Sequence, residues 1–146
     1  MNICRILGFF TIALLANCAQ ADNSVVISDA WVRATAPGQE VGAAYMTLKS
    51  ARDTTLIKTE STAAGSVEIH SMTMNNGVMK MRKMDTLPLS AGKPTKLEPG
   101  SFHLMLFDLK KPLKAGDQAE FTLHFKDSAG KTSEMKLSAP IKADSD

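Results

Sequence analysis

His70-Ser-Met-Thr-Met-Asn-Asn-Gly-Val-Met-Lys-Met-Arg-Lys-Met84 reads as two short strands joined by a tight turn. Asn76-Gly77 is the turn, because both central residues of a type I′ hairpin need positive φ, which Gly adopts freely and Asn tolerates. With those two residues as the loop, Asn75 pairs with Val78, Met74 with Met79 and Met72 with Met81. His70 then lies diagonal to Met81, within reach of long side chains. Side chains two apart on a strand share a face. His70, Met72, Met74, Met79 and Met81 therefore project from one side, while Thr73, Lys80 and Arg82 take the other. A loop one residue longer would carry Met81 to the face opposite His70.

The same texture continues in both directions. Short alternating apolar runs predict strands near Val25–Ala34, Ala43–Lys49, Thr54–Thr59, Ser66–Thr73, Val78–Met84, Thr95–Leu97, Phe102–Leu109, Ala119–Lys126 and Thr132–Ser138. Turn residues separate them: Pro37-Gly38, Asn76-Gly77, Pro88, Gly92, Pro99-Gly100, Ala115-Gly116-Asp117 and Ala129-Gly130. No stretch keeps a helical period. The expectation is an all-β fold, a two-sheet sandwich or a small Greek-key barrel, in a single domain without repeats or linkers.

The first residues read as a secretory signal over 1–21. Arg5 supplies the charge, Ile6 to Leu15 the apolar run, and Ala19-Gln20-Ala21 the cleavage site. That run is too short to span a bilayer, which takes about 20 residues. A competing reading makes Leu15-Ala-Asn-Cys18 a lipobox, with a lipid anchor on Cys18. Cleavage after Ala21 removes both cysteines, Cys4 and Cys18, and leaves a thiol-free domain over 22–141 and a polar tail over 142–146. An exported chain without thiols points to a bacterial periplasm. Losing Arg5 lowers the basic count from 17 to 16 against 15 acids, so the mature chain is near neutral. There is no basic stripe for nucleic acid and no polybasic membrane patch. A monomer is expected.

Methionine is ordinarily core filler. Here five fall within thirteen residues, Met72 to Met84, in a polar stretch directly after His70. A second pair follows in Phe102-His-Leu-Met-Leu106, where His103 and Met105 share one face and Phe102, Leu104 and Leu106 the core face. If that strand docks against the hairpin face, His70, Met81, His103 and Met105 close a four-ligand cage. Two imidazoles with two neutral thioethers suit Cu(I), whereas Zn²⁺ prefers thiolate, imidazole or carboxylate and hard cations want oxygen. Met72 is either an exchanging ligand or a contact on the approach path. Met74, Met79 and Met84 shield the ion or hand it on. His124 falls on the solvent side of Phe121-Thr-Leu-His-Phe125. Met46 and Met135 read as core or edge packing, Trp31 and Tyr45 as a cap on the sandwich, and Arg33 as the partner of a carboxylate.

These residues resemble the periplasmic PCuAC-type copper chaperones, whose motif is His-x10-Met-x21-His-x-Met. His70, Met81, His103 and Met105 fit every spacing, and Met72 occupies the additional methionine position. Ala30-Trp-Val-Arg33, Pro37-Gly38, Ala43-Ala-Tyr-Met46, Gly77-Val-Met-Lys-Met-Arg82 and Leu109-Lys-Lys-Pro112 extend the likeness over nearly the whole mature chain. The resemblance implies a cupredoxin-like β-sandwich that binds Cu(I) and delivers it to the Cu(A) centre of a haem-copper oxidase, often beside a Sco-type thiol protein. Some members add a His- and Met-rich tail as a second copper site, and Ala139–Asp146 has neither residue.

The function classes separate on chemistry. A metallochaperone is a binding protein, not an enzyme, and neutral ligands release Cu(I) without being reprotonated. A blue-copper centre needs a Cys thiolate, which the mature chain lacks. No Ser-His-Asp or paired-carboxylate arrangement stands out. Copper storage or detoxification would use the same site, and a docking surface built from flexible methionines is the third class.

Overall fold

A computed structural model describes residues 24–143; the signal segment with Cys4 and Cys18, and tail residues 144–146, lie outside the described residues. The ten strands are β1 (Val25–Arg33), β2 (Gly42–Ser50), β3 (Thr54–Ser61), β4 (Ala64–Asn75), β5 (Val78–Met84), β6 (Leu87–Leu89), β7 (Pro94–Leu97), β8 (His103–Leu109), β9 (Gln118–Asp127) and β10 (Thr132–Lys142). They form one sheet in the order β5-β4-β8-β2-β1-β10-β9-β3-β6, with β7 also pairing with β2. All described strand pairings are antiparallel except β1 with β10, which touch in parallel only at Val32↔Ile141 and Arg33↔Lys142. Two half-sheets meet at that short junction and share one apolar core.

Alternation builds that core. Ala44, Met46 and Leu48 of β2, Leu104 and Leu106 of β8, and Phe121, Leu123 and Phe125 of β9 are all buried in it. The architecture is the expected all-β, cupredoxin-like one, and no helix occurs among the described residues. Nor does any helix there have the length and apolarity to cross a membrane.

Three elements differ from the sequence reading. Pro88 is not a turn: Leu87-Pro-Leu89 is β6, an edge strand on β3 that buries both leucines. Proline lacks an N–H and is confined to such edges, so it looks like punctuation in the sequence. β10 runs on to Lys142, the first residue of the expected tail, because Lys142 pairs with Arg33. The third difference is a bulge in β1 between Ser28 and Trp31, with Asp29 at φ 52°. An extra residue there changes which side chains face inward. Val25 enters the core before the bulge and Val32 after it, so Trp31 and Arg33 go to the outer face.

Candidate metal centre

Three adjacent strands bring the histidines together. β4 pairs with β8 in a register that sets His70 opposite His103, Glu68 opposite Met105 and Ser66 opposite Phe107. The two imidazole centroids are 5.8 Å apart. On its other side β4 pairs with β5 through the expected hairpin, with Met74↔Met79, Met72↔Met81 and His70↔Lys83. Asn76 and Gly77 have φ of 49° and 76°, the two positive values that a type I′ turn needs.

This arrangement changes one detail of the sequence reading. The strand bearing His103 and Met105 does not dock on the hairpin face; it lies beside β4 in the same half-sheet. The four residues His70, Met81, His103 and Met105 therefore share one outer surface. His70 and His103 are direct neighbours, Met105 is one step along β8, and Met81 is diagonal to His70 on β5. Leu104 and Leu106 fill the core behind them.

The ring nitrogens are assigned by their partners. His70 Nε2 lies 2.9 Å from Glu68 Oε2. A carboxylate only accepts, so in the neutral ring Nε2 carries the proton and Nδ1 keeps its lone pair. His70 Nδ1 is buried without a hydrogen-bond partner among the described residues. Such an orphaned polar atom costs about 1–3 kcal/mol, and a metal ion would satisfy it. His103 Nδ1 donates to the Ser101 carbonyl at 3.2 Å, leaving Nε2 as its free donor atom. Ligand imidazoles are commonly held in this way by a carboxylate or carbonyl on the other nitrogen.

The electrostatics favour neutral His103. Burial lowers its pKa from the usual 6.5, the Ser101 bond opposes that, and the neighbouring His70 adds to it. Glu68 is held below the ordinary carboxylate range by Lys83, at 2.7 Å, and by His70. Among the described residues no three His, Cys, Asp or Glu side chains come together to hold a metal. The donors beside the histidine pair are thus thioethers, a set suited to a soft ion.

Sequence reasoning missed the rest of this surface. Glu68 was legible only as the residue two before His70 on its own face. Phe107 packs 6.1 Å from His70 between ring centroids. Trp31 and Tyr45 do not cap the sandwich. Their rings lie 4.6 Å apart, with Tyr45 6.5 Å from His103, so they wall the histidine pair on the β2 side. Arg33 lies over both aromatic rings, at 5.8 and 5.5 Å. His124 belongs to the other half-sheet and bonds Glu60 at 2.7 Å.

Fold and site together define a cupredoxin-like β-sandwich with a soft-donor surface on one outer face. The chain belongs to the family described as "Putative lipoprotein LpqE-like", which matches residues 25–141. It is 36% identical over 126 residues to the "Putative lipoprotein Lxx21020" of Leifsonia xyli subsp. xyli, covering 84% of this chain and 72% of that protein. Its structural neighbours include the copper-bound PCuAC domain from PmoF2, with a TM-score of 0.66, 27% identity and coverage of 83% of this chain and 94% of that one. The solution structure of CuI-DR1885 from Deinococcus radiodurans matches with a TM-score of 0.58, 32% identity and coverage of 86% and 83%.

Proposed function

We propose that this protein is an exported copper chaperone that carries one Cu(I) on His70, Met81, His103 and Met105. The observation that carries the reading is the His70–His103 pair, each ring fixed through one nitrogen, with the buried Nδ1 of His70 left unpartnered. The copper-bound PCuAC domain and CuI-DR1885 give independent support, since both are structural relatives described with copper.

The site works as a carrier through its donor chemistry. Cu(I) is cargo here, held by two imidazole nitrogens and two thioethers. The thioethers have no proton to lose on binding or regain on release, and a neutral imidazole binds through its lone pair, so transfer proceeds by ligand exchange. The strand ladder fixes His70 and His103, whereas half-exposed Met81 can swing. An acceptor would meet the ion from that side. The proposed destination is the Cu(A) centre of a haem-copper oxidase, with a Sco-type thiol protein as companion, in the periplasm.

Anaerobic titration of the apo protein with Cu(I) against a competing chelator tests the site. One tight equivalent is expected, weakened at least tenfold by Met105→Leu or Met81→Leu, swaps that conserve volume and remove sulfur. Wild-type protein that fails to compete for Cu(I) would sink the proposal. Cu(A) occupancy in a deletion strain tests delivery: unchanged occupancy would favour storage.

A further inference from the structure

We propose that the tip of the β4–β5 hairpin is a second, thioether-only Cu(I) site, made by Met72, Met74 and Met79, through which the ion reaches and leaves the histidine site. The inference rests on the copper reading above and adds a separate site to it.

The β4–β8 ladder stops at His70↔His103, and beyond it a single further bond joins the Met72 N–H to the Ser101 carbonyl. From there the hairpin leaves the sheet as a two-stranded ribbon. Five large apolar side chains are exposed among the described residues, and four sit on this ribbon: Met74 at 67%, Val78 at 58%, Met79 at 55% and Met81 at 50%. Nothing in the fold buries them, so packing does not explain three methionines there. A hairpin surface favours β-branched and aromatic residues, so sulfur is the property that sets these residues apart.

The register brings the sulfurs within reach of one another. Asn75 and Val78 flank a two-residue turn and so form a hydrogen-bonded pair. Met74↔Met79 and Met72↔Met81 then fall at the alternate, non-hydrogen-bonded positions, where facing side chains are closest. Met72 is also diagonal to Met79, inside the span of long side chains. The opposite face of the ribbon carries Thr73, Lys80 and Arg82 and no soft donor.

Met72 faces Met81 across the ribbon, so it stands between the two sites. An ion held by Met74, Met79 and Met72 moves inward as Met81 and then His70 replace the outer pair. Every donor is neutral and the ion stays Cu(I), so neither proton nor electron is transferred. The cationic side chains of Lys80 and Arg82, on the same short ribbon, disfavour long retention of a positive ion. That suits a transit site.

The test is an anaerobic Cu(I) titration of the full mature chain with methyl-¹³C methionine, followed by NMR. The first equivalent should shift the Met81 and Met105 methyls, and a weaker second one those of Met74 and Met79. In M74L/M79L, which keeps the exposed apolar surface without the sulfur, the second equivalent should vanish and the first remain. Loading of the histidine site from a Cu(I)–chelator complex should slow at least several-fold. A wild-type protein that takes one equivalent only, or an M74L/M79L variant that keeps the second, overturns the tip site while leaving the histidine site intact. Loss of the first equivalent in wild type would instead defeat the chaperone reading. Unchanged copper loading in M74L/M79L, with partner binding lost only in M74S/M79S, would make the tip a docking surface.

Discussion

The root and the tip of one hairpin use the same strand face in opposite ways. At the root, His70 and His103 are flanked by β8, Phe107 and Tyr45, and His103 is only 3% exposed. A few residues further on, Met74 and Met79 stand in water. Nothing in the alternation changes between the two; what changes is that β8 ends. A neighbouring strand supplies burial, and burial with fixed hydrogen bonds gives imidazoles a single donor atom each. Without that neighbour the side chains keep their rotamers, which is what ligand exchange requires. Under the proposed function, the root would be the site that selects the ion and the tip the surface that passes it on.

The largest test of that contrast is on stability. Leu104 lies in the core directly behind His103 on β8 and is fully buried. Leu104→Ala should cost about 2–5 kcal/mol, whereas Met79→Ala should stay within about 0.5 kcal/mol, as for an exposed surface position. Urea unfolding of the apo protein measures both. A tip variant as costly as the root variant would mean that the ribbon is structural and the contrast false.

The turn comes next. Gly77 has φ of 76°, and nothing lies within 4 Å of a Cβ added there, so only backbone strain opposes Gly77→Ala. The expected loss is roughly 1–2 kcal/mol with register and copper binding retained. Inserting one Gly between Asn76 and Gly77 should act differently. With Asn76 and the inserted Gly as the two-residue turn, the register shifts by one and Met79 and Met81 move to the other face, so the tip loses its sulfur pair and the root one thioether. Cu(I) affinity would fall although the histidines have not moved.

The hairpin and its register were readable because Asn-Gly and a period of two are local signals. The matching spacing of His103 and Met105 placed them on one face. What could not be read was how strands distant in sequence are arranged side by side. That β8 lies beside β4, and not over it, is decided by the whole sheet order. Trp31 was misplaced because a single bulge at Asp29 reverses the inward face of β1, and Asp-Ala-Trp carries no mark of it. Pro88 was misread because a proline on an edge strand has the same sequence signature as a proline in a turn. Glu68 was overlooked because a carboxylate two residues from a histidine is common, and its role appears only when Lys83 arrives from β5 to hold its other oxygen.

Acid should separate root from tip by a smaller margin. His103 has its pKa lowered in the fold, so below its ordinary value of 6.5 the unfolded chain binds more protons than the folded one. The stability it contributes is complete above that pH and is lost as pH falls towards the folded value. The slope cannot exceed about 1.4 kcal/mol per pH unit for one proton. Glu68, depressed by Lys83 and His70, adds a second loss at lower pH, below its usual 4.5. Methionine does not titrate, so the tip contributes to neither step. Apo unfolding free energies between about pH 7 and pH 4 should show the loss beginning near 6.5. A profile flat down to the carboxylate range would show that His103 is not held neutral by burial.

The finest test concerns which nitrogen of His70 is left for the proposed metal, and it should scarcely register on stability because Glu68 and Lys83 meet at the surface. Glu68 accepts from Nε2, so the apo protein should show the Nε2–H tautomer in the ¹⁵N spectrum of the His70 ring. Glu68→Gln can still accept through its amide oxygen and should keep that tautomer, although it weakens the tie to Lys83. Glu68→Leu removes the acceptor, and the ring should then populate both tautomers and bind Cu(I) more weakly. A merely structural role for Glu68 would move neither the tautomer ratio nor the difference between Gln and Leu. The tip serves as the internal control, for no thioether has a tautomer to set, and the second copper equivalent should be the same in all three proteins. If both equivalents weakened together in Glu68→Leu, the carboxylate would be acting through the whole hairpin and not through one ring nitrogen.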